Sequence, residues 1–183
     1  MRTLIAYSTI DGQTLKISQR LKELFEQRGH AVELMQIGQP NGIDPAAFDC
    51  VVIGASVRYG KYRADVYQFI MANRATLDKK RAAFFSVNLV ARKAGRDTAD
   101  SNPYIRVLKR NTNWAPKLIG VFAGKLDYQR YGPLDRQVIR LIMWLTQGPT
   151  RSTACVEFTD WLAVAQFAQR VSDLVDPSHK PID

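Results

Sequence analysis

"YSTIDGQTLKIS", Tyr7 to Ser18, follows a short apolar run and crowds hydroxyls, an amide and a glycine into one turn. A helical pattern starts directly behind it. Leu15, Ile17, Leu21, Leu24 and Phe25 recur at three- and four-residue spacings and stop at Gly29, a natural helix end. Strand, tight polar loop and helix together predict the first crossover unit of a parallel sheet. At such a junction the free N–H groups of the helix start, reinforced by the helix dipole, favour an anion. Ser8, Thr9, Gln13 and Thr14 add donors, and Gly12 lets the backbone approach a ligand without a Cβ. The loop holds no lysine or arginine and carries Asp11 instead. Next to a bound dianion that carboxylate is expected to turn away and accept N–H groups at the helix start. The plainer alternative is a capped strand-to-helix turn with no ligand, because Ser, Thr, Asp and Gly are common there.

What is absent narrows the anion. No G-x-x-x-x-G-K-[ST] motif occurs, which argues against Mg-ATP or GTP, and no G-x-G-x-x-G, which argues against a dinucleotide pyrophosphate. Neutral donors alone suit one terminal phosphate ester.

Working outward, "AVELMQI" (Ala31–Ile37), "CVVIGAS" (Cys50–Ser56), "AAFFSVNLV" (Ala82–Val90), "KLIGVFAG" (Lys117–Gly124) and "ACVEFTD" (Ala154–Asp160) are further strand candidates. Several are nearly continuous in apolar character, as parallel strands covered on both faces are. Helical patterns fit Ala64–Leu77, Tyr104–Asn111 and, with Asp160 as N-cap, Trp161–Val175. The alternation predicts an α/β, doubly wound parallel sheet. Residues 3–174 form one domain in this reading, with an insertion at about 125–152 and a C-terminal tail at 175–183.

With 183 residues, 46% of them hydrophobic and 23% charged, the chain suits a globular domain and not a mainly disordered one. No apolar run approaches the ~18 residues of a membrane span, and the N-terminus shows no signal-peptide pattern. Two cysteines, Cys50 and Cys155, lie in apolar segments and read as reduced, buried hydrophobes. Two histidines without neighbouring ligands predict no metal site. The formal net charge is +9. Such a surface attracts anionic lipid, acidic partners or nucleic acid. Dispersed basic residues without a recognition motif argue against nucleic acid.

The loop "STIDGQT" resembles the phosphate loop of flavodoxin-like proteins, apart from Asp11 where those carry Thr or Ser. Together with "VVIGASVRYGKY" (Val51–Tyr62) and "SVNLVARK" (Ser86–Lys93), it closely resembles the bacterial quinone-linked protoporphyrinogen IX dehydrogenases. The similarity runs from Thr3 to about Leu174. It implies a flavodoxin-like, doubly wound five-stranded parallel sheet of the long-chain type, whose last strand is split by an insertion. It also implies FMN as cofactor, with a 5′-phosphate in the first loop. The activity implied is oxidation of protoporphyrinogen IX in haem biosynthesis, in three two-electron steps, with a membrane quinone (menaquinone or ubiquinone) as acceptor.

On that resemblance the cofactor contacts are Ser8, Thr9, Asp11, Gly12, Gln13 and Thr14, then Ser56, Val57, Arg58, Tyr59 and Gly60, then Ser86, Val87, Asn88, Leu89, Val90 and Ala91. Tyr59 or Tyr62 is expected to stack on the flavin ring, and Asn88, Leu89 and Val90 to meet its pyrimidine edge. Arg58, Arg92, Lys93 and Arg96 are expected either to form a solvated basic rim or to pair with the two propionates of the substrate. No catalytic base is assigned. In the insertion, Leu134, Val138, Leu141, Ile142 and Leu145 make an apolar stripe. That stripe either packs on the domain or lies on an anionic membrane surface, which would place the protein peripherally on the cytoplasmic face of the inner membrane. A flavodoxin-type electron carrier and, behind it, an NAD(P)H:quinone reductase remain the alternatives.

Overall fold

In β1 (Arg2–Ser8) every residue from Thr3 onward is buried, so the strand is covered on both faces, as its unbroken apolar run requires. It is the second strand of five. The computed structural model describes residues 1–40, 42–127, 137 and 155–175. With β2 (Ala31–Gln36), β3 (Cys50–Ser56), β4 (Arg81–Val87) and β5 (Leu118–Phe122), the sheet has the order β2-β1-β3-β4-β5 and every pairing is parallel. The chain steps from β1 outward to β2, then back across to β3. That reversal opens a crevice at the carboxyl ends of β1 and β3, where doubly wound sheets bind ligands.

Helices cover both faces. α1 (Gln13–Glu26) and α5 (Trp161–Val175) bury Ile17, Leu21, Phe25, Phe167 and Val171 against Ile5, Val52 and Phe85. On the other face α2 (Ala64–Ala72), α3 (Arg74–Lys79) and α4 (Pro103–Thr112) bring Val66, Ile70, Leu77, Ile105 and Leu108 onto Leu4, Ile53, Phe84 and Trp114. In mid-sheet, Phe85 lies across Gly54 of the neighbouring strand. A Cβ at position 54 would stand 2.1 Å from the Phe85 ring, so only glycine fits.

Two elements differ from the sequence reading. The single helix expected over 64–77 is broken at Asn73, whose backbone leaves the helical region (φ −104°, ψ 12°). Its side-chain Nδ2 donates to the Phe69 carbonyl at 2.9 Å, beside its own backbone N–H at 3.1 Å, so the side chain helps to satisfy a carbonyl in the last turn of α2. The strand expected at 154–160 is shorter. β6 (Lys125–Asp127) and β7 (Cys155–Glu157) pair antiparallel with each other, so the insertion leaves and re-enters the domain through a two-stranded ribbon outside the five-stranded sheet. The expected N-cap of the last helix is present: Asp160 Oδ1 accepts from Leu162 and Ala163 N–H at 2.9 and 3.1 Å. The amphipathic stripe assigned to the insertion, Leu134, Val138, Leu141, Ile142 and Leu145, lies outside the described residues, as does nearly all of the tail.

Candidate functional site

The crevice is built by the three loops that follow β1, β3 and β4. In the first, Gly12 stands at φ +86°, a left-handed conformation that glycine adopts without strain, and it turns the chain into α1. The Gly12 N–H donates to Thr9 Oγ1 at 3.1 Å, which closes the loop. The first helical bond runs from Lys16 N–H to the Gly12 carbonyl at 3.0 Å, so the N–H groups of Gln13, Thr14 and Leu15 precede the ladder. No acidic side chain sits in this first turn. Ser8 is buried at the strand end, with its hydroxyl at a long 3.5 Å from Asp65 Oδ1.

Gln13 is differently employed from the sequence reading. Its Nε2 donates to Thr159 Oγ1 at 2.9 Å and to Glu157 Oε1 at 3.2 Å, while Lys16 Nζ reaches Glu157 Oε2 at 2.9 Å. The side chain therefore ties α1 to β7 and the approach to α5, which leaves the Gln13 backbone N–H for a ligand. Burial alone would push the Glu157 carboxyl up, but hydrogen bonds from Lys16, Gln13 and Trp161 outweigh it and hold the group below its ordinary value.

Asp11 departs from its expected partner as well. Arg58, from the second loop, donates from Nη1 to Asp11 Oδ1 at 2.9 Å and to Oδ2 at 3.2 Å. Among the described residues the carboxylate is thus engaged by a guanidinium 47 residues away and not by the helix-start amides.

That second loop is a tight hairpin. Arg58 and Lys61 exchange backbone hydrogen bonds at 3.0 and 3.2 Å, and the two residues between them, Tyr59 (φ +50°) and Gly60 (φ +77°), are both left-handed. Two positive φ values in succession define a type I′ turn. Gly60 takes its place without cost, whereas Tyr59 pays about 1 kcal/mol or more for the same backbone. The ring so held is 57% exposed, and the Arg58 guanidinium carbon lies 5.3 Å from its centroid. Tyr62, the other aromatic candidate, is 2% exposed and packs edge-on against Phe84 and Tyr67. It belongs to the core, so of the two candidates Tyr59 is the one exposed on the second loop. Ser56 and Val57 lead into this turn, both partly buried.

A buried polar chain, which sequence reasoning missed, fixes the third loop. Tyr62 Oη donates to Ser86 Oγ at 2.8 Å, and Asn88 Nδ2 donates to the same oxygen at 3.0 Å. Asn88 Oδ1 in turn accepts from Ala91 N–H at 3.0 Å and from Asn102 Nδ2 at 3.2 Å, while Asn102 Oδ1 caps α4 at Tyr104. The third loop therefore folds as a short 3-10 turn over Leu89–Arg92 behind buried Val87, with Leu89 and Val90 half-buried and Ala91 buried. The Asn88 side chain is occupied inside this network. Burial pushes the Tyr62 phenol well above its ordinary value, so it stays a donor. Single residues in 24-residue separation carry no sequence signal for such pairing.

Arg92, Lys93 and Arg96 follow on the outer side of that loop. Arg92 donates to the Leu89 carbonyl at 3.0 Å and Arg96 to the Ser101 carbonyl at 3.3 Å, and Lys93 is exposed. Among the described residues no cluster of His, Cys, Asp and Glu is placed to hold a metal, and no helix is long and apolar enough to cross a membrane. Cys50 is buried and free, with its thiol pushed up to about 12 by burial, so no reactive thiolate forms there.

Three buried side-chain atoms lack a partner among the described residues: Thr14 Oγ1, Ser56 Oγ and Ser172 Oγ. The first two stand at the mouths of the first and second loops. An unpaired buried hydroxyl is costly unless a ligand completes it. Together with the three leading amides of α1 and the left-handed Gly12, this donor set fits a phosphate ester and contains no cation of its own.

A strand–loop–helix cradle of neutral donors at the switch point of a 2-1-3-4-5 sheet defines a flavodoxin-type protein. The flavodoxin domain family model matches residues 4–153. Among solved structures, oxidised flavodoxin 1 from Bacillus cereus superposes with a TM-score of 0.55 over 96% of this chain and 97% of that one, at 14% identity. An archaeal flavodoxin superposes at 0.52 with 12% identity, over 94% of this chain and 99% of the other. The particular family follows from sequence. The chain is 39% identical over 176 residues to the protoporphyrinogen IX dehydrogenase [quinone] of Escherichia coli strain K12, covering 96% of this chain and 97% of that protein. It is 39% identical to the protein of the same name from Leishmania major, over 91% of this chain and 73% of the other. The chain belongs to the protoporphyrinogen IX dehydrogenase [quinone] family of flavodoxin-domain proteins.

Proposed function

We propose that this chain is an FMN-dependent dehydrogenase that oxidises protoporphyrinogen IX to protoporphyrin IX and passes the electrons to a membrane quinone. The observation that carries the reading is the crevice of neutral donors with an orphaned, buried Thr14 hydroxyl, in a chain whose relatives of matching length bear that name. FMN, when bound, supplies a two-electron acceptor that a quinone can empty, so that the six-electron aromatisation takes three turnovers.

The protein's part is to bind, orient and exclude water. The N–H groups of Gln13, Thr14 and Leu15 and the hydroxyls of Thr9 and Thr14 hold the phosphate. Tyr59, presented by its type I′ turn, covers the ring, and Ser56, Val57 and Gly60 line the same loop. Leu89, Val90 and Ala91 on the 3-10 turn border the opposite side of the crevice, where Ser86, Val87 and Asn88 fix their position from below. Because its side chain is engaged in that network, Asn88 acts by holding the turn. Arg92, Lys93 and Arg96 on the outer side offer cations to the substrate's two propionates. The net charge of +9 and the insertion at about 125–152 support peripheral attachment to an anionic bilayer, where menaquinone or ubiquinone is met.

Steady-state assays test the reading. Protein reconstituted with FMN should reduce a soluble quinone analogue with protoporphyrinogen IX as donor and show no turnover with NADPH. Turnover with NADPH alone would make it an NAD(P)H:quinone reductase. Reduction only by a reductase protein would make it an electron carrier.

A further inference from the structure

A carboxylate within a phosphate-binding loop is an electrostatic liability. Asp11 immediately precedes Gly12, the residue that turns the chain into α1, so its charge lies one residue from the amides that hold the phosphate. Two unit charges several ångströms apart near a protein surface interact strongly enough to change affinity about tenfold, or about 1.4 kcal/mol. The molecule answers with Arg58, whose Nη1 reaches both oxygens of Asp11 at 2.9 and 3.2 Å. The pair is partly sheltered, with the two side chains 20% and 35% exposed, so screening by solvent is incomplete. Arg58 also opens the turn that presents Tyr59.

We infer that Arg58 is a positioning residue on the cofactor side of the site, which neutralises Asp11 and latches the second loop to the first, and is not a receptor for a substrate carboxylate. The inference rests on the flavin reading above. A guanidinium already engaged by a carboxylate of its own protein gains less from a propionate, because its charge is largely compensated by Asp11.

Two probes that differ only in the phosphate separate the possibilities: FMN and riboflavin, each titrated into apoprotein by quenching of flavin fluorescence. Arg58→Met should weaken FMN about tenfold at low salt while riboflavin changes less than about threefold, and the FMN loss should shrink at high salt. Arg58→Lys, which keeps the charge, should hold FMN within about threefold of the unmodified protein. Asp11→Asn combined with Arg58→Met removes both charges and should recover most of the lost affinity. Equal losses for FMN and riboflavin would overturn the inference in favour of a merely structural arginine. Unchanged affinities with a raised substrate KM would overturn it in favour of a substrate receptor. Unmodified protein that binds neither probe would refute the flavin site itself, and the inference with it.

Discussion

Thr14 carries a hydroxyl that is buried and unpartnered, while its methyl group and backbone serve the start of α1. Thr14→Val keeps the shape and removes only the oxygen, so its effects on free and liganded protein should have opposite signs. Urea unfolding of the apoprotein should show stability unchanged or raised by up to about 1 kcal/mol, because a desolvated group with no partner is gone. FMN affinity should fall about tenfold, the worth of one hydrogen bond to a charged acceptor. If stability and affinity fall together, the hydroxyl serves the fold and not the phosphate. Asn88 is the opposite case: every described bond of its side chain is internal. Asn88→Ala removes one bond each from Ser86 Oγ, Asn102 Nδ2 and the Ala91 amide, which keep Tyr62, the Arg96 carbonyl and the backbone carbonyl of residue 88 as partners, and should cost about 2–3 kcal/mol of unfolding free energy whether or not flavin is present.

At the scale of elements, β3 and β4 meet where Gly54 makes room for the Phe85 ring. Gly54→Ala should therefore destabilise by about 3 kcal/mol or more in urea, since neither backbone can move inside a five-stranded sheet. The junction of α1 with β7 depends on charge instead. Glu157 has a lowered folded pKa, so its contribution is present above the ordinary carboxylate range and is lost as pH falls through the lowered value. Stability measured against pH should show that acid-side decline, and Glu157→Gln should flatten it. A decline of the same slope in the variant would assign it to other carboxylates.

Most elements were legible because their signals are local. "CVVIGAS" matches β3 residue for residue, and Asp160 caps its helix as expected. The break at Asn73 was hidden, because an amide side chain that caps a helix end looks no different in sequence from one on a helix surface. At the site, the tight strand-to-helix turn at Gly12 was readable from residue types, but the partners of its side chains were not. Asp11 with Arg58, and Gln13 with Glu157 and Thr159, are joined across 47, 144 and 146 residues. Only the folded sheet brings those together. Tyr59 and Tyr62 are three residues apart, and their fates diverge because the turn between them reverses the chain.

For the whole molecule, the balance of 26 basic against 17 acidic residues sets how it meets other surfaces. If it works at an anionic bilayer, it should co-sediment with phosphatidylglycerol-containing vesicles at low salt and be released at high salt, as each basic residue near the surface contributes about 1 kcal/mol. Full solubility at low salt would remove the membrane from the account. The redox assignment does not depend on that outcome. It depends on a flavin seated at the switch point of the sheet, within reach of its substrate. The most direct measurement is the visible absorption spectrum of FMN-reconstituted protein under strict anaerobiosis, before and after protoporphyrinogen IX is added. The account predicts that the oxidised flavin bands bleach as porphyrin absorption grows in, and return when quinone is supplied. Flavin bands that persist with excess protoporphyrinogen, yet bleach with a reductase protein, would contradict it.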